Sequence, residues 1–390
     1  MRIIKVICFV FIFILILTNA KYSYARSKQE LLDDLKQKSE TLSNEELREY
    51  LKTLSLEEVM ILGRQGAESA LKEKGATLSD FHINMSYLLA YPFYNEVVSK
   101  ASTEKEQSRI YNELFYSDKT WNIFIKEIKD KDAPWLWRQT VMGWAEPPIA
   151  GENVSKEEAE ASSISPSTWL KLLKTCQTIM KDKEDDVKVR QKAAHFIGEL
   201  YPYNDETFID KSLLHKTWQS IYEDARKVYN DSNENPKIRR EANNIVEGVI
   251  FGDYSRLQQN EPLLVFSNKN ELMSEFNQDI NKQVDLLRNP NTPYELRYSA
   301  LEGTASYHDL NIPQSSYIKQ QTMTTFYEEK QRKDKKFFFE LTHAIIHWYN
   351  DYSIKQDLKD MLKQNLDRKT KDKIRCIIRD IEILEKKYGS

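Results

Sequence analysis

The stretch DDVKVRQKAAHFIGEL, Asp185 to Leu200, constrains the fold of this chain more than any other. Val189, Ala193, Ile197 and Leu200 fall at i, i+4, i+8 and i+11. That is one stripe of an α-helix; a strand would alternate its faces every second residue. Just before it, Trp169, Leu172, Leu173, Cys176, Ile179 and Met180 mark another amphipathic helix, and KDKEDD is the turn between the two. So short a connection makes the helices an antiparallel hairpin, each with an apolar stripe to hide. The second helix opens on a compact pattern: an apolar residue, arginine, two variable positions, alanine.

The pattern returns. IRREANNIVEGV carries Ile238, Arg239 and Ala242, and LRYSALEG carries Leu296, Arg297 and Ala300. Weaker copies are WRQTVMGW, with Trp137, Arg138 and Val141, and IRCIIRDI, with Ile374, Arg375 and Ile378. The arginines follow one another at 52, 49, 58 and 78 residues. The last interval has room for a further, degenerate pair, SSYIKQQTMTTFYEEK and KKFFFELTHAIIHWY. An amphipathic helix precedes each clear copy: Leu214, Trp218, Ile221, Ala225 and Val228 before the second; Met273, Phe276, Ile280, Val284 and Leu287 before the third. Asn235-Pro236 and Thr292-Pro293 read as N-caps followed by proline at the first helical position, and Asp132 is the candidate N-cap of the copy at Arg138. The alanine lets one helix approach its partner closely. The arginine, at the start of the second helix, can reach an acid or a carbonyl of the neighbouring turn. Glycine, at only 10 residues, is too scarce for a turn-rich sheet protein.

Units of this length and pattern resemble HEAT repeats, over roughly Asp132 to Ser390. The resemblance implies an all-α chain, a right-handed α-solenoid of helical hairpins over 131–390, which binds proteins or other ligands, usually without catalysis. Residues 26–130 read as an N-terminal helical cap without the repeat pattern, since terminal repeats must turn a polar face outward. Ser43-Asn44-Glu45-Glu46 and Ser55-Leu56-Glu57-Glu58 are capping boxes opening helices there, and Gly75 is a plausible C-cap. The proline- and serine-rich stretch from Ala145 to Ser167 reads as a linker or a long edge loop.

The N-terminus begins with Arg2 and Lys5, continues with an unbroken apolar run from Val6 to Leu17, and offers small-x-small sites ending at Ala20 and Ala25. Twelve apolar residues suit a signal peptide (1–25) better than a span, which needs about 20. Export to the periplasm or the exterior follows, with an uncleaved signal anchor as the only membrane attachment. Removing Arg2, Lys5 and Lys21 from 57 basic residues leaves 54 against 60 acids. A mildly acidic surface argues against nucleic acid as a partner. Cys176 and Cys376 both fall on apolar helix positions and read as two buried thiols, or as one long-range disulfide.

Three groups are candidates for function. Trp137 and Trp144, seven apart, share a helix face and form either a binding patch or a tryptophan-rich core joining the cap to the repeats. Arg138, Arg190, Arg240 and Arg297, with Arg239, could form a ladder along the array, holding an acidic peptide or an anionic glycan on the concave face, or each could be tied to acids in its own layer. His343 and His347, at i and i+4, could share a metal, but the residue after the first is Ala344 and not the glutamate a hydrolytic zinc helix needs. No catalytic residue, metal ligand or cofactor motif is assigned. The sequence therefore supports an exported, non-enzymatic scaffold for a protein or peptide. The alternative is an exported α/α polysaccharide-degrading enzyme, whose convergent acids cannot be chosen from the sequence.

Overall fold

The computed structural model describes residues 28–72, 78–145, 164–200, 210–310 and 312–388. The leader, Gly75 and most of the linker lie outside them. The described residues form seventeen helices and no strand. The first five are α1 (Lys28–Thr41), α2 (Asn44–Leu51), α3 (Leu56–Ala70), α4 (Leu78–Lys100) and α5 (Glu104–Phe115). Two pairs follow, α6 (Asp118–Lys129) with α7 (Trp135–Trp144), and α8 (Pro166–Lys181) with α9 (Val187–Glu199). Next come α10 (Lys211–Asn230), α11 (Pro236–Gln258), α12 (Lys269–Arg288), α13 (Tyr294–Asp309), α14 (Ser315–Lys330) and α15 (Lys336–His347). The chain closes with α16 (Lys355–Leu362) and α17 (Arg368–Tyr388).

Contacts divide the chain into two compact units, 1–217 and 218–390. In the first, α6 packs on α7 and α8 on α9, while α6 also lies beside α8 and α7 beside α9. In the second, α12 packs on α13 and α14 on α15, with α12 beside α14, α11 beside α13 and α13 beside α15. First helices thus neighbour first helices, and second helices neighbour second helices. The apolar stripes meet at these seams: Val189, Ala193 and Ile197 are buried, as are Ile238, Ala242, Leu296 and Ala300. At the C-terminal end, Phe338, Ile345, Leu358, Met361, Ile374 and Ile381 close a further apolar cluster.

The inter-helix turns repeat atom for atom. Asp130, Asp182, Asp231 and Asn289 each accept, through Oδ1, the backbone N–H two residues on, at 3.0, 3.1, 3.0 and 3.0 Å. Each also accepts, through its own carbonyl, the N–H three residues on. Eight residues after each turn acid or amide stands the arginine. Its Nε donates to the carbonyl ten residues back: Arg138 to Ile128, Arg190 to Met180, Arg239 to Tyr229 and Arg297 to Leu287, at 2.8, 3.2, 3.0 and 3.1 Å. Those carbonyls end the first helix of each pair, where backbone acceptors have no helical partner and the helix dipole favours a cation. The arginine is a C-terminal cap supplied from the next helix.

Local starts differ in part from the expected ones. Asp186 and Asn235 are N-caps that accept from the second N–H of their helices. The caps of α7 and α13 are instead Pro134 and Pro293, without a side-chain bond. Asp132 and Thr292 are therefore turn residues, because the turn register puts the cap four residues after Asp130 and Asn289. The capping boxes at Ser43 and Ser55 both form, and a third forms at Thr103 with Glu106. The copy at Arg375 does not join the series. Arg375 is exposed, lies well inside α17 and pairs with Asp372, although Ile374 and Ile378 are buried. In the pair before it, Lys335 donates instead to the carbonyls of Lys330 and Arg332. Cys176 is buried and Cys376 exposed; both are free thiols, so the expectation of two buried thiols holds for Cys176 alone.

Candidate docking surfaces

Trp137 and Trp144 share a face, and that face is interior. Trp137 is wholly buried, its ring laid on α3 where Gly63 has no side chain; a Cβ there would stand 2.2 Å from the ring. Its Nε1 donates to Glu127 at 2.8 Å, and burial raises the Glu127 carboxyl above its ordinary range. Trp144 meets Trp137 edge to face, with centroids 5.4 Å apart, and donates to Ser86 at 3.1 Å. The pair stitches α3, α4, α6 and α7 together, as the core alternative for these residues supposed.

The arginines are likewise consumed. Arg138 forms a bidentate bridge to Asp185 of the following hairpin, both side chains almost fully buried. Arg190 gives two donors to Met180 O. Arg297 gives two to Leu287 O and one to Glu329 at 3.1 Å, with its guanidinium 3.9 Å from the centre of the Phe337 ring. Burial at these depths withholds Arg138, Arg190 and Arg297 from a ligand. The signal for this role lies in the sequence too: the Asp or Asn eight positions upstream of each arginine.

Arg240 differs. It is about one-third exposed, pairs with Glu302 at 3.2 Å and lies over Tyr298 at 5.2 Å. Tyr298 stacks on Tyr294, which holds Lys336 over its ring at 3.3 Å and donates to Glu340 at 3.1 Å. This row crosses the outward faces of α11, α13 and α15. Tyrosine and arginine are the residues that anchor protein interfaces, with large area and few rotors.

Beneath the same helices is a buried polar centre that sequence reasoning missed. Glu247 accepts from Asn243 at 2.6 Å, and Gln283 donates to Asn243 at 3.0 Å. Asp279 accepts from Tyr307 at 2.7 Å. Gly303 leaves room for the Glu247 carboxyl, since a Cβ there would stand 2.4 Å from Oε1. Burial, reinforced by Asp279, holds the Glu247 carboxyl well above its ordinary range, and burial also raises Asp279. Burial holds Lys282, whose ammonium lies over the Tyr229 ring, down to about 8.

In the first unit a groove of about 680 Å³ opens along α6 and α8. Lys129, Lys131, Lys171 and Lys174 line it, with Leu170 and Ile179 among its apolar walls. His343 and His347 share a face of α15, rings 4.4 Å apart. Among the described residues no group of three or more His, Cys, Asp or Glu could hold a metal, and no helix is long and apolar enough to cross a membrane. No family model, curated protein or solved structure matches the chain.

Proposed function

We propose that this chain is an exported, non-enzymatic scaffold: a right-handed HEAT-like solenoid of hairpins over 131–390, capped by 26–130, that docks a protein or peptide on its concave face. The observation that carries the reading is the fourfold recurrence of one turn-and-guanidinium geometry, at Arg138, Arg190, Arg239 and Arg297. Identical local joints, with first helices beside first helices, are the construction of a stacked array, and such arrays work by presenting an extended surface. Because Trp137, Trp144, Arg138, Arg190 and Arg297 are interior, the reading moves the contact to Arg240 and its neighbours Tyr294, Tyr298 and Lys336.

The enzyme alternative needs two acids facing a cleft. Glu247 and Asp279 interact with each other, but both are buried with their partners and face no cleft. Small-angle scattering separates the readings. A compact chain of this length has a radius of gyration of about 21 Å; a stacked array gives a clearly larger value, and a value near 21 Å removes the scaffold. A photo-cross-linking residue in place of Tyr298 should yield a discrete protein adduct in the native compartment, and no adduct counts against docking on this face.

A further inference from the structure

The groove along α6 and α8 carries four ammonium groups against two carboxylates, Asp182 and Asp185. Both acids are already engaged: Asp182 with Lys131 at 2.5 Å, and Asp185 in the buried bridge to Arg138. Lys171 donates to Asn122, which is neutral. Among the described residues no carboxylate pairs with Lys129 or Lys174. The groove therefore holds three exposed cations that nothing in its walls neutralises. Its walls are not uniformly polar. Leu170 and Ile179 form its base, and Leu213 stands at its side with 41 % of its surface exposed.

We propose that this groove seats an acidic, amphipathic peptide segment of a partner, with carboxylates on Lys129, Lys171 and Lys174 and an apolar side chain beside Leu213. Charge complementarity selects the occupant, in a chain whose own surface is otherwise mildly acidic. Apolar walls favour a peptide with side chains of both kinds over a bare polyanion, which would leave Leu213 unused. A volume of about 680 Å³ matches a few residues and not a folded domain. The proposal rests on the docking reading and names the chemistry of a second contact on it.

The test uses the purified chain and a fluorescein-labelled octapeptide of alternating glutamate and leucine, followed by anisotropy at low salt. Binding is expected to weaken at least tenfold in the Lys129→Glu/Lys174→Glu variant and severalfold in Leu213→Ser. It should also fall steeply with added salt. All altered side chains reach the surface, so unchanged circular dichroism is expected and removes misfolding as the cause. Three results overturn the proposal: no binding; equal binding of the glutamine–leucine peptide; or equal binding of the glutamate–alanine peptide, which would make the ligand a bare polyanion. Scattering keeps the two claims apart. An extended particle that ignores the peptide sinks the groove alone, and a compact one sinks the scaffold whatever the peptide does.

Discussion

At the scale of the residue, the side chains that break the simple rules carry the clearest predictions. Among the described residues Glu247 is a buried acid with no cation bonded to it; Asp279, Glu302, Tyr229 and Tyr307 are the titratable groups that interact with it. Its carboxyl is raised in the folded state, so the folded chain retains a proton that the unfolded chain releases above about pH 4.5. Stability must then fall as pH rises through that window, by up to about 1.4 kcal/mol per pH unit for one proton. Glu247→Gln keeps the shape and removes the titration. Its urea midpoint should fall less than the parent's between pH 5 and pH 8, and parallel curves would reject the assignment. The two thiols give a second check. Burial pushes Cys176 up to about 12, whereas Cys376 is exposed. A thiol reagent at pH 8 should label Cys376 in the native chain and reach Cys176 only after unfolding. Cys376 stands two residues after Ile374, so it faces away from the buried stripe of Ile374, Ile378 and Ile381; the sequence reading gave it to the wrong face of the last long helix.

At the scale of the element, the hairpin was legible and its fastening was only partly so. Helical spacing located the paired helices from Trp169 to Glu199 and from Lys269 to Asp309, because an apolar stripe at 3.6-residue period marks a helix face that must be covered. The arginine's role as a reach toward a neighbouring carbonyl could be expected from its place at a helix start. The Asp or Asn that builds the turn was hidden because it stands among many acids, and only its constant offset of eight residues separates it from solvated ones. Caps were misplaced by a residue or two at Asp132 and Thr292, since the turn register, not the preference of the residue, decides which position becomes the cap. Arg138 and Asp185 make the sharpest test. Arg138→Ala leaves Asp185 buried without its partner and should cost about 3–5 kcal/mol. Arg138→Met with Asp185→Leu should recover most of that loss. Chemical unfolding of the two single variants and the double variant measures the coupling; additive losses would mean that the bridge is not the link between these hairpins.

At the scale of the molecule, the sequence conveys an all-helical chain and leaves its ligand surface obscure. The reason is physical. A recurring hairpin places its arginine at the same offset whether the side chain faces a partner or the neighbouring helix, and periodicity alone does not tell the two apart. Trp137 and Arg297, candidates in the sequence for either contact or packing, are joints. Surface cations without a motif, Lys129 and Lys174, line the groove. The joint itself has a kinetic corollary. Each guanidinium closes onto a carbonyl only ten positions behind it, so a hairpin can fasten itself before any distant part of the chain arrives. Chains ruled by such near-neighbour closures fold fast and can start from any segment. A thread emerging end-first from a narrow channel could thus set one hairpin after another, without waiting for its far terminus.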